Sequence, residues 1–187
     1  MFQVYLGAAP TSETMETTVI RITVIEHMFV LGIDPGLSIT GYGVIEGPYP
    51  PKPILAGVIR TDAGTPMPQR LAELHRGLTQ VVADSQPDVI ALETVFTNRN
   101  LQTAIAVGRA SGIALLAAAE ADVPVYEYVP TAIKSAVTGD GAANKRQVQE
   151  MVARLLNLED APKPADAADA LAIAICHLCA APLQVIR

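Results

Sequence analysis

"MFVLGIDPG", residues 28–36, carries an apolar run straight into a carboxylate. Phe29, Val30 and Leu31 read as a buried strand. Asp34 closes it between Ile33 and Pro35, with Gly32 and Gly36 close by. A charge at the end of a core strand needs a cation, a hydrogen-bond donor or a metal to offset its desolvation. The rest of the chain has to supply that partner.

From Met28 the punctuation is regular. After the first strand (28–34), "TGYGVIEG" (40–47) is a second, "PYPPKP" a turn and "ILAGVIRTD" (54–62) a third. Their short connections fit an antiparallel meander. "PQRLAELHRGLTQVVADSQ" has helical period, with Leu71, Leu74, Leu78 and Val81 on one face. "DVIALET" (88–94) is a continuous apolar strand, the mark of one covered on both faces. A helix over about 99–121, a fifth strand in "VPVYEYVP" and two or three closing helices complete the order. This order predicts an α/β fold with a mixed five-stranded sheet flanked by helices. A right-handed crossover lays the fourth strand parallel to the first and beside it. Glu93, which ends "IALET", then comes near Asp34.

Residues 1–27 differ in character: "TSETMETT" is polar and "VIRITVIEH" alternates weakly. They read as an N-terminal extension, disordered or forming an added strand, ahead of one domain over 28–187. No apolar stretch reaches the ~18 residues of a membrane span. The N-terminus lacks the pattern of a secretory signal. Cys176 and Cys179 alone make no disulfide framework. A cytoplasmic protein is the expectation. The net charge of −6 argues mildly against nucleic acid. Three acids and one base precede Met28, however, and the remaining 16 acids against 12 bases leave −4. Four carboxylates holding two divalent metals would cancel that locally.

Asp166 and Asp169 in "PADAADALAIAICHL" join Asp34 and Glu93. Three residues along a helix is a rotation of roughly 60° from the same face, so both point one way from the first turn of the last helix. If that turn packs near the first strand, four carboxylates meet. Four oxygen-only side chains suit hard cations such as Mg²⁺ or Mn²⁺. Two such metals clamp an in-line phosphodiester hydrolysis. Gly32 and Gly36 would then leave room for a phosphate backbone. The plainer reading makes Asp166 a helix N-cap and Asp169 a first-turn acid favoured by the helix dipole; the conjunction of all four favours the metal site.

With these residues in view, the chain resembles the RuvC family of Holliday-junction resolvases, within the ribonuclease H-like superfamily. The resemblance rests on "LGIDPGLSITGYGVIE", "ALETVFTNRN", "VPVYEYVPTAIKSAVTGDGAANKRQVQEMV" and "PADAADALAIAICH", and spans about Met28 to His177. It implies a ribonuclease H-like nuclease domain, a homodimer that binds a four-way DNA junction, and paired symmetric nicks. It also implies cooperation with the RuvA–RuvB branch-migration machine. Asp34, Glu93, Asp166 and Asp169 match the family's four catalytic acids, and some relatives carry histidine where Asp166 stands.

Phe96, three residues beyond Glu93, is a candidate wedge that stacks on a base at the crossover; the plainer reading anchors its loop in the core. Arg99 is a candidate phosphate contact. Lys134, Lys145 and Arg146 flank the Gly-rich "TGDGAANK" and are candidates for DNA contact, against the alternative of a solvated surface. Arg109, among small residues in "AVGRASG", belongs to a dimer seam or reaches DNA. Cys176, His177 and Cys179 on one helix are no zinc set and read as buried small residues. His27 and His75 have no partner pattern. "TDAGTP" (61–66) is similar to the phosphate loops of actin-like ATPases but reads as a turn. An actin-like phosphotransferase, which needs two such domains, a ribonuclease H-like RNA-processing nuclease, and a silent junction-binding module are the competing functions.

Overall fold

A computed structural model describes residues 21–22, 27–94, 101–180 and 185–186. In chain order the elements are β1 (Arg21–Ile22), β2 (Met28–Asp34), β3 (Ile39–Gly47), β4 (Lys52–Arg60), α1 (Met67–Ser85), β5 (Val89–Glu93), α2 (Leu101–Glu120), β6 (Val125–Tyr128), α3 (Pro130–Thr138), α4 (Lys145–Leu155), α5 (Ala165–Ala180) and β7 (Val185–Ile186). The main sheet has the order β4-β3-β2-β5-β6. β2, β3 and β4 form the expected antiparallel meander. β5 lies parallel to β2 and β6 parallel to β5. Arg21–Ile22 pairs antiparallel with Val185–Ile186, apart from this sheet; the rest of the N-terminal extension up to residue 26 lies outside the described residues.

Strand side chains alternate between faces, and two cores result. Leu31, Ile33, Val44, Ile90 and Leu92 pack with Leu74, Leu78 and Val82 of α1 and the alanines of α2. Val30, Ile45, Val89 and Ala91 pack with α3, α4 and α5 on the other face. Continuing the alternation to the strand ends puts Asp34 and Glu93 on the α5 face.

The glycines of β2 and β3 seat α5 there. A Cβ at Gly32 would overlap the Ala170 carbonyl oxygen, and one at Gly41 the Asp166 carbonyl oxygen. Gly32 therefore makes room for a helix, not for a phosphate backbone. Gly36 is likewise filled: a Cβ there would meet the Ile39 carbonyl within its own turn.

Three other expectations shift. β4 begins at Lys52, inside the stretch read as a turn, with Pro53 opposite Ile45 at a register shift. β4 is an edge strand, where proline's missing N–H is tolerated. The buried row of α1 is Arg70, Leu74, Leu78 and Val82, with Leu71 and Val81 at its margins. An apolar count hides a buried arginine. Finally, α5 starts at Ala165, so Asp166 lies inside the first turn and is not the N-cap.

The glycine seat is testable by thermal denaturation. Gly41→Ala forces backbone apart and should cost at least about 1–3 kcal/mol, or several degrees of Tm. Gly64→Ala, whose Cβ would meet nothing closer than 3.5 Å, should stay within about 0.5 kcal/mol of wild type.

Candidate active site

Each acid is placed by backbone geometry. Ile33 pairs with Leu92 across the parallel β2–β5 ladder, so Asp34 and Glu93 end adjacent strands side by side. Asp34 pairs with Gly41 on its other flank. Because the Asp166 carbonyl occupies the space a Gly41 side chain would fill, the first turn of α5 sits directly beside Asp34. Asp169, one turn on, faces the same cluster.

The electrostatics register this crowding. The Asp34 carboxyl is pushed up to about 7, first by burial and then by the charges of Glu93, Asp169 and Asp166. Glu93 is also raised, by burial and by Asp169; a hydrogen bond from Asp34 and the charges of Lys134 and Lys145 oppose the shift. Two carboxyls sharing a proton beside two more acids form a site that demands positive charge. Lys145 supplies part of it: its Nζ lies 2.6 Å from Asp169 Oδ2. That contact raises the Lys145 ammonium above its ordinary value. The four acids adjoin without closing on one point, and among the described residues no three such side chains form a ready-made metal cage. The donor set, four carboxyl groups that offer only hard oxygens, nevertheless fits a divalent cation.

A cleft of about 200 Å³ opens beside the acids, lined by Glu93, Asp169, Lys134 and Lys145 over an apolar floor that includes Ile133 and Val148. Lys134 and Lys145 are thus brought to the site. Arg146 is not: it is 82% exposed and 3.7 Å from Glu150 of its own helix. Arg109 is also left out. It lies on the exposed side of α2, which packs on the sheet face opposite α5. Phe96 and Arg99 lie outside the described residues.

The histidine readings need correction. His75 Nε2 lies 2.8 Å from Glu120 Oε2, joining α1 to α2, and His27 Nδ1 lies 2.6 Å from Glu46. His177 is buried as expected, but Cys179 is exposed while Cys176 is buried. The Tyr128 hydroxyl and His177 Nδ1 share a 2.8 Å hydrogen bond that ties β6 to α5. Burial lowers the His177 pKa and pushes the Tyr128 hydroxyl up to about 12, so this pair is a neutral structural tie. Register reveals its position, since Tyr128 pairs with Glu93; sequence spacing does not. "TDAGTP" is a turn closed by Thr65 N–H donating to the Asp62 carbonyl.

Comparisons with known proteins agree with this fold. Residues 30–177 match the model of the family described as crossover junction endodeoxyribonuclease RuvC. The RuvC of Desulforamulus reducens is 53% identical over 153 residues, covering 80% of this chain and 93% of that protein. The RuvC of Chloroflexus aggregans is 51% identical over 156 residues, covering 83% and 95%. The solved structure of T. thermophilus RuvC in complex with Holliday junction substrate superposes with a TM-score of 0.79 at 39% identity, covering 83% of this chain and 95% of its own.

The charge crowding predicts an inverted stability profile in chelator. The folded state keeps the Asp34 proton up to about pH 7, whereas the ordinary value is 3.8. The folded state therefore binds more protons than the unfolded one between these values, and stability falls as pH rises through them. Asp34→Asn should melt several degrees above wild type at pH 8 in EDTA, with the difference vanishing near pH 4. Melting curves at both pH values check this; an Asn variant less stable at pH 8 would contradict it.

Proposed function

The chain belongs to the RuvC family of crossover junction endodeoxyribonucleases, and on that footing we propose that Asp34, Glu93, Asp166 and Asp169 are its catalytic acids. The enzyme hydrolyses DNA phosphodiesters at four-way junctions. The observation that carries the assignment is the meeting of four acids from β2, β5 and α5 around a carboxyl raised to about 7. The same four residues would hold two divalent cations, Mg²⁺ with Mn²⁺ as substitute. When bound, these supply an activated water and counter-charge for the leaving oxygen. The presence of all four acids speaks against a silent junction-binding module.

The chain's own residues do the remaining work. Lys134 and Lys145 line the cleft together with Glu93 and Asp169 and can take backbone phosphates of the cut strand. Lys145 is already committed to Asp169, so engaging a phosphate redistributes its charge between acid and substrate. We assign Phe96 to stacking on an unpaired base at the crossover and Arg99 to a neighbouring phosphate. Arg146 and Arg109 lack support as direct contacts at the acids.

Two symmetric nicks require two sites, and α2 offers the seam for a homodimer. Opposite its buried alanines it exposes Leu101, Ile105, Leu115 and Leu116. Gly108 and Gly112 lie on this same side, and a Cβ at either would meet nothing. Such a stripe lets a second copy of the helix approach closely about a two-fold axis. Arg109 borders the stripe, which favours the seam over DNA for this residue. We also propose that the enzyme works with RuvA–RuvB in the cytoplasm, as the resemblance to the family implies.

Incubation with a synthetic four-way junction tests the function, beside linear duplex and RNA–DNA hybrid. Cleavage should need Mg²⁺ or Mn²⁺ and stop in EDTA while the domain stays folded. Asp34→Asn, Glu93→Gln and Asp169→Asn should each lower the rate by at least about 100-fold with junction binding retained. Normal cleavage by any of them removes that residue from the catalytic set.

The seam has its own test. Leu101→Glu combined with Leu116→Glu should convert a dimer to a monomer by sedimentation velocity, without unfolding, because both side chains are exposed. An unchanged oligomeric state would place the interface elsewhere.

A further inference from the structure

α1 buries an arginine that the chemistry above does not use. Arg70 is 7% exposed and stands in the row Arg70, Leu74, Leu78, Val82 that faces the sheet. Among the described residues no carboxylate pairs with it. Its hydrogen bonds go to hydroxyls: Nε donates to Thr61 Oγ1 at 3.0 Å and Nη2 to Ser38 Oγ at 2.9 Å. A guanidinium keeps its charge inside a protein, and a buried cation without a counter-ion is destabilising relative to an apolar side chain of similar volume. A fold that needed only a filled core would do better with methionine or leucine at this place.

The destination of the bonds explains the arginine. Thr61 Oγ1, which accepts from Arg70, donates at 2.6 Å to the Leu37 carbonyl, and Thr61 N–H donates to the Ser38 carbonyl. Residues 35–38 are the loop that leaves Asp34 and turns into β3. Thr40, buried at the start of β3, donates from its hydroxyl to the Gly36 carbonyl at 2.7 Å. The loop is thus held at Gly36, Leu37 and Ser38, and the last two anchors run to Arg70 directly or through Thr61. Asp34 sits at the hinge of this loop, pressed by three other acids. Its carboxylate stays in place only if the backbone on its C-terminal side does not yield.

We propose that Arg70 is a positioning residue for the cleavage reaction, acting through Ser38 and Thr61 to hold the 35–38 loop and with it Asp34. This rests on the reading of Asp34 as a catalytic acid. Displacing a reacting group by about 1 Å can lower a rate by about 100-fold, so the brace is felt in the chemical step and in cation binding. It leaves junction affinity alone, because Arg70 is buried on the α1 side of the sheet.

The test uses the full chain with Arg70→Met, Thr61→Val, their combination, and Asp34→Asn as reference. Four quantities are measured: single-turnover junction cleavage, junction affinity in Ca²⁺, Mn²⁺ affinity by calorimetry without DNA, and Tm in EDTA. Arg70→Met should lower the rate by about 30- to 100-fold and weaken Mn²⁺ binding by about tenfold. Its Tm should be equal to or above wild type and its junction affinity within about twofold, as expected when a buried cation is replaced by packing. Thr61→Val should lose less, and the double variant should lose less than the product of the two single losses, because the two residues share the bond between them. Wild-type cleavage by Arg70→Met with Asp34→Asn inactive overturns the brace; an active Asp34→Asn overturns the catalytic reading beneath it. Weaker junction binding with a shallower salt dependence would make Arg70 a phosphate contact and overturn the proposal. A rate loss that follows a fall in Tm, with Mn²⁺ affinity intact, would make it a core residue only. If Arg70→Met does not fold, Arg70→Lys and Thr61→Val carry the same comparison, with Lys expected to restore part of the Mn²⁺ affinity.

Discussion

Where α5 crosses β2 and β3, backbone lies against backbone. The carbonyls of Ala170 and Asp166 occupy the volumes that side chains at Gly32 and Gly41 would take, and the space at Gly43 is filled by the Leu171 side chain. With ordinary residues at these positions the helix would ride higher on the sheet. Its first turn would then carry Asp166 and Asp169 away from Asp34 and Glu93. The close approach is thus at once the packing of one core and the act that assembles the acids.

That assembly runs against electrostatics. Four acids adjoin at the open end of a sheet, and the structure answers with an Asp34 carboxyl pushed up to about 7 and with the ammonium of Lys145 on Asp169. Both answers are provisional in chemical terms, since either can give way to a divalent cation. The backbone must hold still while that exchange occurs. The hydroxyl network around Gly36, Leu37 and Ser38, with Arg70 behind it, is the part of the fold built for rigidity on one side of Asp34. On the other side Glu93 is fixed by the parallel ladder.

The two faces of the sheet divide the labour. The α5 face carries the acids, the lysines and the cleft. The opposite face carries α1 and α2, and the outer surface of α2 has exposed apolar and glycine positions on which, among the described residues, no other element packs. The homodimer seam proposed on this outer surface would lie on the far side of the sheet from the cleft and leave the substrate surface free.

Local pattern determined a great deal by itself. Period-two alternation, short connections and the handedness of the crossover were enough to find five strands, to order four of them and to set Asp34 beside Glu93, because these rules act through backbone sterics that every residue shares. The three-residue spacing of Asp166 and Asp169 put both on one helical turn for the same reason. What only the tertiary structure decided depends on which surfaces touch. Gly32 looked like space for a phosphate and is the bed of a helix. Lys145, a candidate DNA contact, lines the cleft and is bonded to Asp169, while Arg146 beside it points to solvent. The apolar face read from Leu71, Leu74, Leu78 and Val81 passed over Arg70, which is buried at the head of the helix's inner row. A glycine's use, a lysine's partner and an arginine's burial are set by atoms distant in the chain, and no local periodicity carries that information.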